Sequence, residues 1–259
     1  MTSTQTLVSS VSELTTFLSS IPPASTLYLD LEGTCLSRYG TISLVTVLIH
    51  PQGVVRVIDV LALGELAFTT TSENGKSLKS ILEDPGIPKC LWDVRNDADA
   101  LWALYHVGLA GVTDIQLLEN ASRAGDKTHL QGLEMSIQFD LKIGSMEINR
   151  WIRTKEEIKN LMPCGVFDGR PIDAKTVQYC INDVLHLPDL HVLYLGHIEG
   201  TWLAEAREES ERRVAEAHLP DYEPQSPTKS LGPWLWDDIT GKYNPPLDEL
   251  LDALFLSES

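Results

Sequence analysis

The chain has 259 residues, 43% of them hydrophobic, which is enough to bury one core of ordinary domain size with an appendage. No apolar run reaches the length of a membrane span, and the absence of any Lys or Arg before Arg38 argues against a secretory signal or an Arg-rich transit peptide. Twenty basic against 37 acidic residues give a net charge of −17, which excludes a nucleic-acid binder that relies on a wide basic surface.

Ser10 and Glu13 have capping-box spacing, so a short helix is expected over Val11–Leu18, stopped by Pro22-Pro23. Apolar or alternating runs at Thr26–Leu31, Thr41–Ile49 and Val54–Val60 follow, separated by Gly33, Gly40 and the Pro51–Gly53 turn, as in a strand meander. A helix at Lys76–Leu82, a strand at Pro88–Asp93, a helix from Asn96 to about His106 and a strand near Val112–Asp114 then alternate. Such an order indicates a mixed sheet covered by helices. The clearest helix runs from Asp173 to about Ile198, kinked at Pro188. Its periodicity predicts an apolar face of Val177, Cys180, Ile181, Val184, Leu185 and Leu187, with Gln178, Tyr179, Asn182, Asp183 and His186 opposite. A charged helix over Thr201–His218 precedes a Pro-rich stretch, Leu219–Gly232, that reads as a linker crossing the surface. Asn244-Pro245 then opens a possible short amphipathic helix carrying Leu247, Leu250, Leu251 and Leu254.

Three short patterns carry chemistry. In Leu27-Tyr28-Leu29-Asp30-Leu31-Glu32-Gly33, strand alternation puts the leucines on one face and Asp30 with Glu32 on the other. Two adjacent carboxylates repel unless solvated or neutralised, and hard oxygen ligands of this kind suit Mg²⁺ or Mn²⁺. In Tyr179-x-x-x-Asp183 a phenol and a carboxylate project from one side of a helix. Between them, the strand that begins at Lys89 ends in three acids, Asp93, Asp97 and Asp99, at a helix start that tolerates acids as ordinary caps. Taken singly, the first two patterns are better explained as solvated faces, and one or two of the three aspartates as ordinary caps.

Together, in this order, the three patterns resemble the exonuclease domain of the ribonuclease D group within the DEDD superfamily of 3′→5′ exonucleases. That group has D-x-E on the first strand, an aspartate shortly after a strand beginning with Lys, and Y-x-x-x-D on a late helix. The matching positions are Asp30 with Glu32, Asp97, and Tyr179 with Asp183. The histidine branch carries His five positions before the last Asp, where Gln178 stands, so the match is to the tyrosine (DEDDy) branch. The resemblance spans roughly residues 11–217 and takes in Asp59 at the end of the third strand and Arg170-Pro171 before the last helix. Trp92 stands where the group often has His. The choice of Asp97 over Asp93 and Asp99 rests on register from Lys89.

The resemblance implies an α/β fold, a ribonuclease H-like mixed sheet flanked by helices, over residues 1–218, with residues 219–259 a Pro-rich linker and acidic amphipathic tail. It implies hydrolysis of phosphodiester bonds at the 3′ end of single-stranded RNA or DNA, releasing nucleoside 5′-monophosphates. Asp30, Glu32, Asp97 and Asp183 would hold two Mg²⁺ or Mn²⁺ ions about 4 Å apart, one activating water and one stabilising the leaving 3′-oxygen. Asp30 would bridge both ions, Asp97 would act mainly through metal-bound waters, and Tyr179 would orient the attacking water.

The remaining residues set the alternatives. Cys35, Cys90, Cys164 and Cys180 form no C-x-x-C pair and read as thiols in a reducing compartment, so an intracellular protein, cytoplasmic or nuclear, is expected. Residues 123–175 hold 9 basic and 8 acidic groups, against 6 and 13 in residues 1–122 and 5 and 16 in residues 183–259. Within that central segment Arg123, Lys127, Lys142, Arg150, Arg153, Lys155 and Lys159 are candidates for phosphate contact, though surface solvation explains any one of them. Trp151 is a candidate to stack on a base, with a core role the simpler reading. The acidic balance and the tail favour a second reading, a catalytically inactive exonuclease-fold adaptor that binds RNA or protein. The tail could also serve a protein partner or self-association. A metal-dependent phosphatase acting on small substrates would use the same carboxylates.

Overall fold

The computed structural model describes residues 6–237 and 242–244. Its first strand, β1 (Leu7–Val8), is too short to show alternation in sequence. Ser10 caps α1 (Val11–Ser19) with the expected box: its hydroxyl accepts from the Glu13 amide, and the Glu13 carboxylate accepts from the Ser10 amide. The meander follows as β2 (Thr26–Glu32), β3 (Leu44–His50) and β4 (Val54–Asp59), paired antiparallel in sequence order. β3 starts three residues later than its apolar pattern, because the chain after β2 folds back and the Thr41 amide bonds the Thr34 carbonyl at 3.0 Å. Gly33 makes this reversal possible: a Cβ there would lie 1.9 Å from the Thr41 carbonyl oxygen.

Asp59 caps α2 (Val60–Leu63), which leads through α3 (Leu66–Thr69) to α4 (Leu78–Leu82). The last of these begins two residues after its sequence expectation because Ser77 is its cap, accepting from the Ser80 amide. β5 (Lys89–Leu91), α5 (Arg95–Tyr105), β6 (Val112–Asp114) and α6 (Ile115–Ser122) alternate as expected. The six-stranded sheet has the order β1-β4-β3-β2-β5-β6, with β5 parallel to both β2 and β6. Then come α7 (Leu133–Asp140), α8 (Ser145–Leu161), α9 (Ala174–Leu185), α10 (Leu187–His197) and α11 (Gly200–Ala217). The single helix kinked at Pro188 is in fact two: the ring lacks an amide to continue the ladder, and the chain breaks at His186. A hairpin of β7 (Leu235–Asp237) and β8 (Lys242–Asn244) closes the described chain.

Helices cover both faces of the sheet, so β3 reads as a continuous apolar run. Leu27, Leu29 and Leu31 of β2 pack with Leu14, Phe17, Leu78 and Leu101 in one core layer. Tyr28 points the other way, into a layer with Leu117, Val184, Leu187 and Leu190. Alternation along β2 therefore aims Asp30 and Glu32 at the layer that contains α9. No helix among the described residues is long and apolar enough to cross a membrane.

The stretch expected as a linker crosses the surface but is bound down along its length. The Arg38 guanidinium donates to the carbonyls of Ala217, Leu219 and Pro220 at 2.7–2.9 Å. Tyr222 donates to Asn96 at 3.0 Å, the Gly232 amide bonds the Thr128 carbonyl at 2.8 Å, and Trp234 is buried edge-on against Trp202. The helix expected over Leu247–Leu254 lies outside the described residues.

Candidate active site

The end of β2 and the middle of α9 meet. The prospective ligand oxygens of Asp30, Glu32 and Asp183 all lie within 4.8 Å of one another. Tyr179 stands one turn before Asp183, with its ring beside Phe167 at a centroid distance of 5.9 Å. The expected solvated face of α9 is therefore corrected: Tyr179 and Asp183 are both 5% exposed, whereas Leu185 is 41% exposed. The buried stripe is Thr176, Tyr179, Cys180, Asp183, Val184 and Leu187. A hydrophobicity wheel misplaces it because α9 presses a carboxylate, Asp183, and the phenol of Tyr179 against the sheet.

The approach to α9 fixes that placement. Asp168 accepts from the Thr34 hydroxyl at 2.7 Å and from the Ser43 hydroxyl at 2.6 Å, tying this segment to the reversal after β2. Two residues on, the Arg170 guanidinium grips Asp59, at the end of β4, through two 2.6 Å bonds. From the other side, the α8 residue Trp151 donates its indole N–H to the Asn182 carbonyl at 3.2 Å, and it is a core residue. Lys155, one turn along α8, places its ammonium 3.3 Å from Asp183 Oδ1.

Geometry also separates the three acids after β5. Asp93 is paired with Arg95 at 2.6 Å, and Asp99 with Arg38 at 2.6 Å. Asp97 instead accepts from the Leu31 backbone amide at 3.1 Å, a donor left without a ladder partner once β5 has ended. This bond draws Asp97 alongside the Asp30–Glu32 strand end, although Asp97 is not part of the three-acid group. Its loop is held from behind. Asp114 accepts from the amides of Asp93 and Val94, and Arg213 of α11 donates to Asp114 at 2.6 Å. Sequence reasoning gave no sign of Asp114 and Arg213, which lie 99 residues apart with no motif linking them.

The electrostatics call for positive charge. Burial, then the charges of Asp183 and Asp97, raises the Asp30 carboxyl well above the usual range. Burial, then Asp30, Asp183 and Asp97, does the same for Glu32. Burial raises Asp183 as well, against the opposing pull of Lys155. Asp97 is pushed up to about 8 by burial and then by Asp93. Burial, followed by Glu32, Asp183 and Asp30, holds the Tyr179 phenol far above the ordinary phenol range. The buried Asp30 Oδ2 has no hydrogen-bond partner. Converging carboxylates with an unpartnered buried oxygen form a donor set that fits a hard, oxygen-seeking divalent cation.

Of the basic residues expected near phosphate, Lys142, Arg150, Arg153 and Lys159 are exposed. Arg123 is bound to Glu119, and the Lys127 ammonium sits among the last carbonyls of α6, donating to Asn120 and Ala121 at 3.2 and 2.9 Å. Those two serve the fold. Lys155 is the one that reaches the three-acid group.

No protein-family model matches the chain, and no curated protein matches it. Solved structures do. Trypanosoma brucei RNase D in complex with GMP superposes with a TM-score of 0.68 at 23% identity, covering 85% of this chain and 67% of that one. Its complex with RNA U12 gives 0.66 at 22%, covering 92% and 82%. Escherichia coli RNase D, an exoribonuclease involved in structured RNA processing, gives 0.58 at 18%, covering 82% of this chain and 50% of that one. Brucella melitensis NrnC with bound Mg²⁺ gives 0.54 at 16%, covering 79% and 91%. The mixed six-stranded sheet flanked by helices is thus the fold of ribonuclease D-like exonucleases.

Proposed function

We propose that the chain is a divalent-metal-dependent 3′→5′ exonuclease of the DEDD class, tyrosine branch, acting on single-stranded nucleic acid. The observation that carries this reading is the convergence of Asp30, Glu32 and Asp183 beneath Tyr179. The nuclease fold of its structural neighbours, with RNA in one and Mg²⁺ in another, supports it and favours RNA as substrate. Asp30, Glu32 and Asp183 would hold the cations, with Asp97 beside them. Two bound Mg²⁺ or Mn²⁺ ions would supply an activated water and charge stabilisation at the leaving 3′-oxygen.

The chain's own groups do the rest. Burial and the neighbouring carboxylates favour the protonated Tyr179 phenol, which suits it to donate a hydrogen bond that orients the water and not to act as a base. Cleavage on the 3′-oxygen side leaves the phosphate on the departing nucleotide, a nucleoside 5′-monophosphate. An intracellular location suits the four free thiols, of which Cys35 and Cys164 are exposed.

The test incubates linear, circular and 3′-phosphate-blocked single strands of RNA and DNA with Mg²⁺, Mn²⁺ or EDTA. The expected outcome is shortening of linear strands only, abolished by EDTA, with slow attack on blocked ends. Equal cutting of circles would contradict an exonuclease. Binding without cleavage under every metal condition is the outcome for an inactive adaptor.

A further inference from the structure

Lys155 is turned in toward the three-acid group and not out to solvent. It follows Trp151 by one helical turn, and its ammonium lies 4.7 Å from the Trp151 ring and 5.9 Å from that of Tyr179. Its tip is 3.3 Å from Asp183 Oδ1, with the Lys155 side chain 22% and the Asp183 side chain 6% exposed. Among the described residues, no other Lys or Arg is ion-paired with Asp30, Glu32 or Asp183. In the absence of metal, this ammonium is the counter-charge of the site.

We propose that Lys155 and a divalent cation exclude each other at the Asp183 carboxylate, so that metal loading displaces the lysine. The inference rests on the reading of Asp30, Glu32 and Asp183 as metal ligands. Two cations drawn to the same carboxylate repel each other and compete for its oxygens. The flexible four-carbon stem lets the ammonium leave without moving α8. Every site held by the lysine is one not open to metal, so the apparent metal affinity is lowered by that fraction. The same coupling means that the metal weakens the Lys155–Asp183 pair. Without metal, the Lys155–Asp183 pair links α8 to α9 beside the Trp151–Asn182 bond.

The experiment measures Mn²⁺ binding to the full chain by calorimetry, without nucleic acid, alongside thermal unfolding with and without Mn²⁺. The proteins are wild type, K155M, K155Q, K155R and D183N. Expected are roughly five- to fiftyfold tighter Mn²⁺ binding by K155M and K155Q, and near wild-type binding by K155R, which keeps the charge. The metal-free K155M and K155Q proteins should also melt below wild type, with Mn²⁺ closing the gap. Equal or weaker Mn²⁺ binding by whichever neutral variant folds overturns the proposal while leaving the metal site intact. Failure of the wild type itself to bind Mn²⁺, or unchanged binding by D183N, would instead overturn the metal-site reading.

Discussion

Tyr179 packs its ring against Phe167 while its hydroxyl is subject to the charges of Glu32, Asp183 and Asp30. Y179F keeps the ring, the packing and every carboxylate, and removes one hydrogen bond needed most in the transition state. We expect kcat to fall on the order of tenfold to a thousandfold with little change in KM. D183N, one turn along, should cost far more, because on the proposed reading it removes a metal ligand. Steady-state kinetics of both variants at saturating Mn²⁺ on one linear substrate check this. Equal losses would make Tyr179 structural. That Asp183 would meet Asp30 and Glu32 was legible from motif order, whereas the burial of Tyr179 and Asp183 was not. Asp97 was placed by register from Lys89, but what distinguishes it from Asp93 and Asp99 is that arginines neutralise the other two. Arg95 lies two residues from Asp93, whereas Arg38 comes from the turn after β2, 61 residues before Asp99, and no local pattern ties it there.

At the scale of elements, α9 is aimed by the segment before it. Asp59 is 2% exposed at its side chain, and among the described residues Arg170 alone is ion-paired with it. R170A leaves that carboxylate buried and unpaired. The expected cost is about 2–3 kcal/mol, below the range for a fully buried pair because the guanidinium is 27% exposed. Activity should fall with it, since α9 loses its anchor to β4. Adding D59N to R170A should recover part of the stability by removing the stranded charge. Urea unfolding of the single and double variants measures both terms, and wild-type stability in R170A would contradict the role assigned to the pair. α1 follows from capping at Ser10 and β2 from alternation along Thr26–Glu32. The two-residue β1 and the break at His186 do not, because the first is defined by its parallel pairing to β4 and the second by how Pro188 is accommodated.

For the molecule as a whole, the order of elements in the chain already indicated a mixed sheet covered by helices. The bound course of residues 219–234 was not legible, because its anchors are carbonyls and single side chains on distant elements, such as the Arg38 bonds to Leu219 and Pro220. Net charge pointed away from nucleic acid, yet the same acidic composition supplies the cluster that a cation would neutralise. The most direct measurement follows a 5′-labelled single-stranded RNA through time with wild type and D30N in Mn²⁺. The account expects a ladder receding by one nucleotide at a time with wild type and none with D30N. An intact oligonucleotide with wild type, or the same ladder with both proteins, would contradict it.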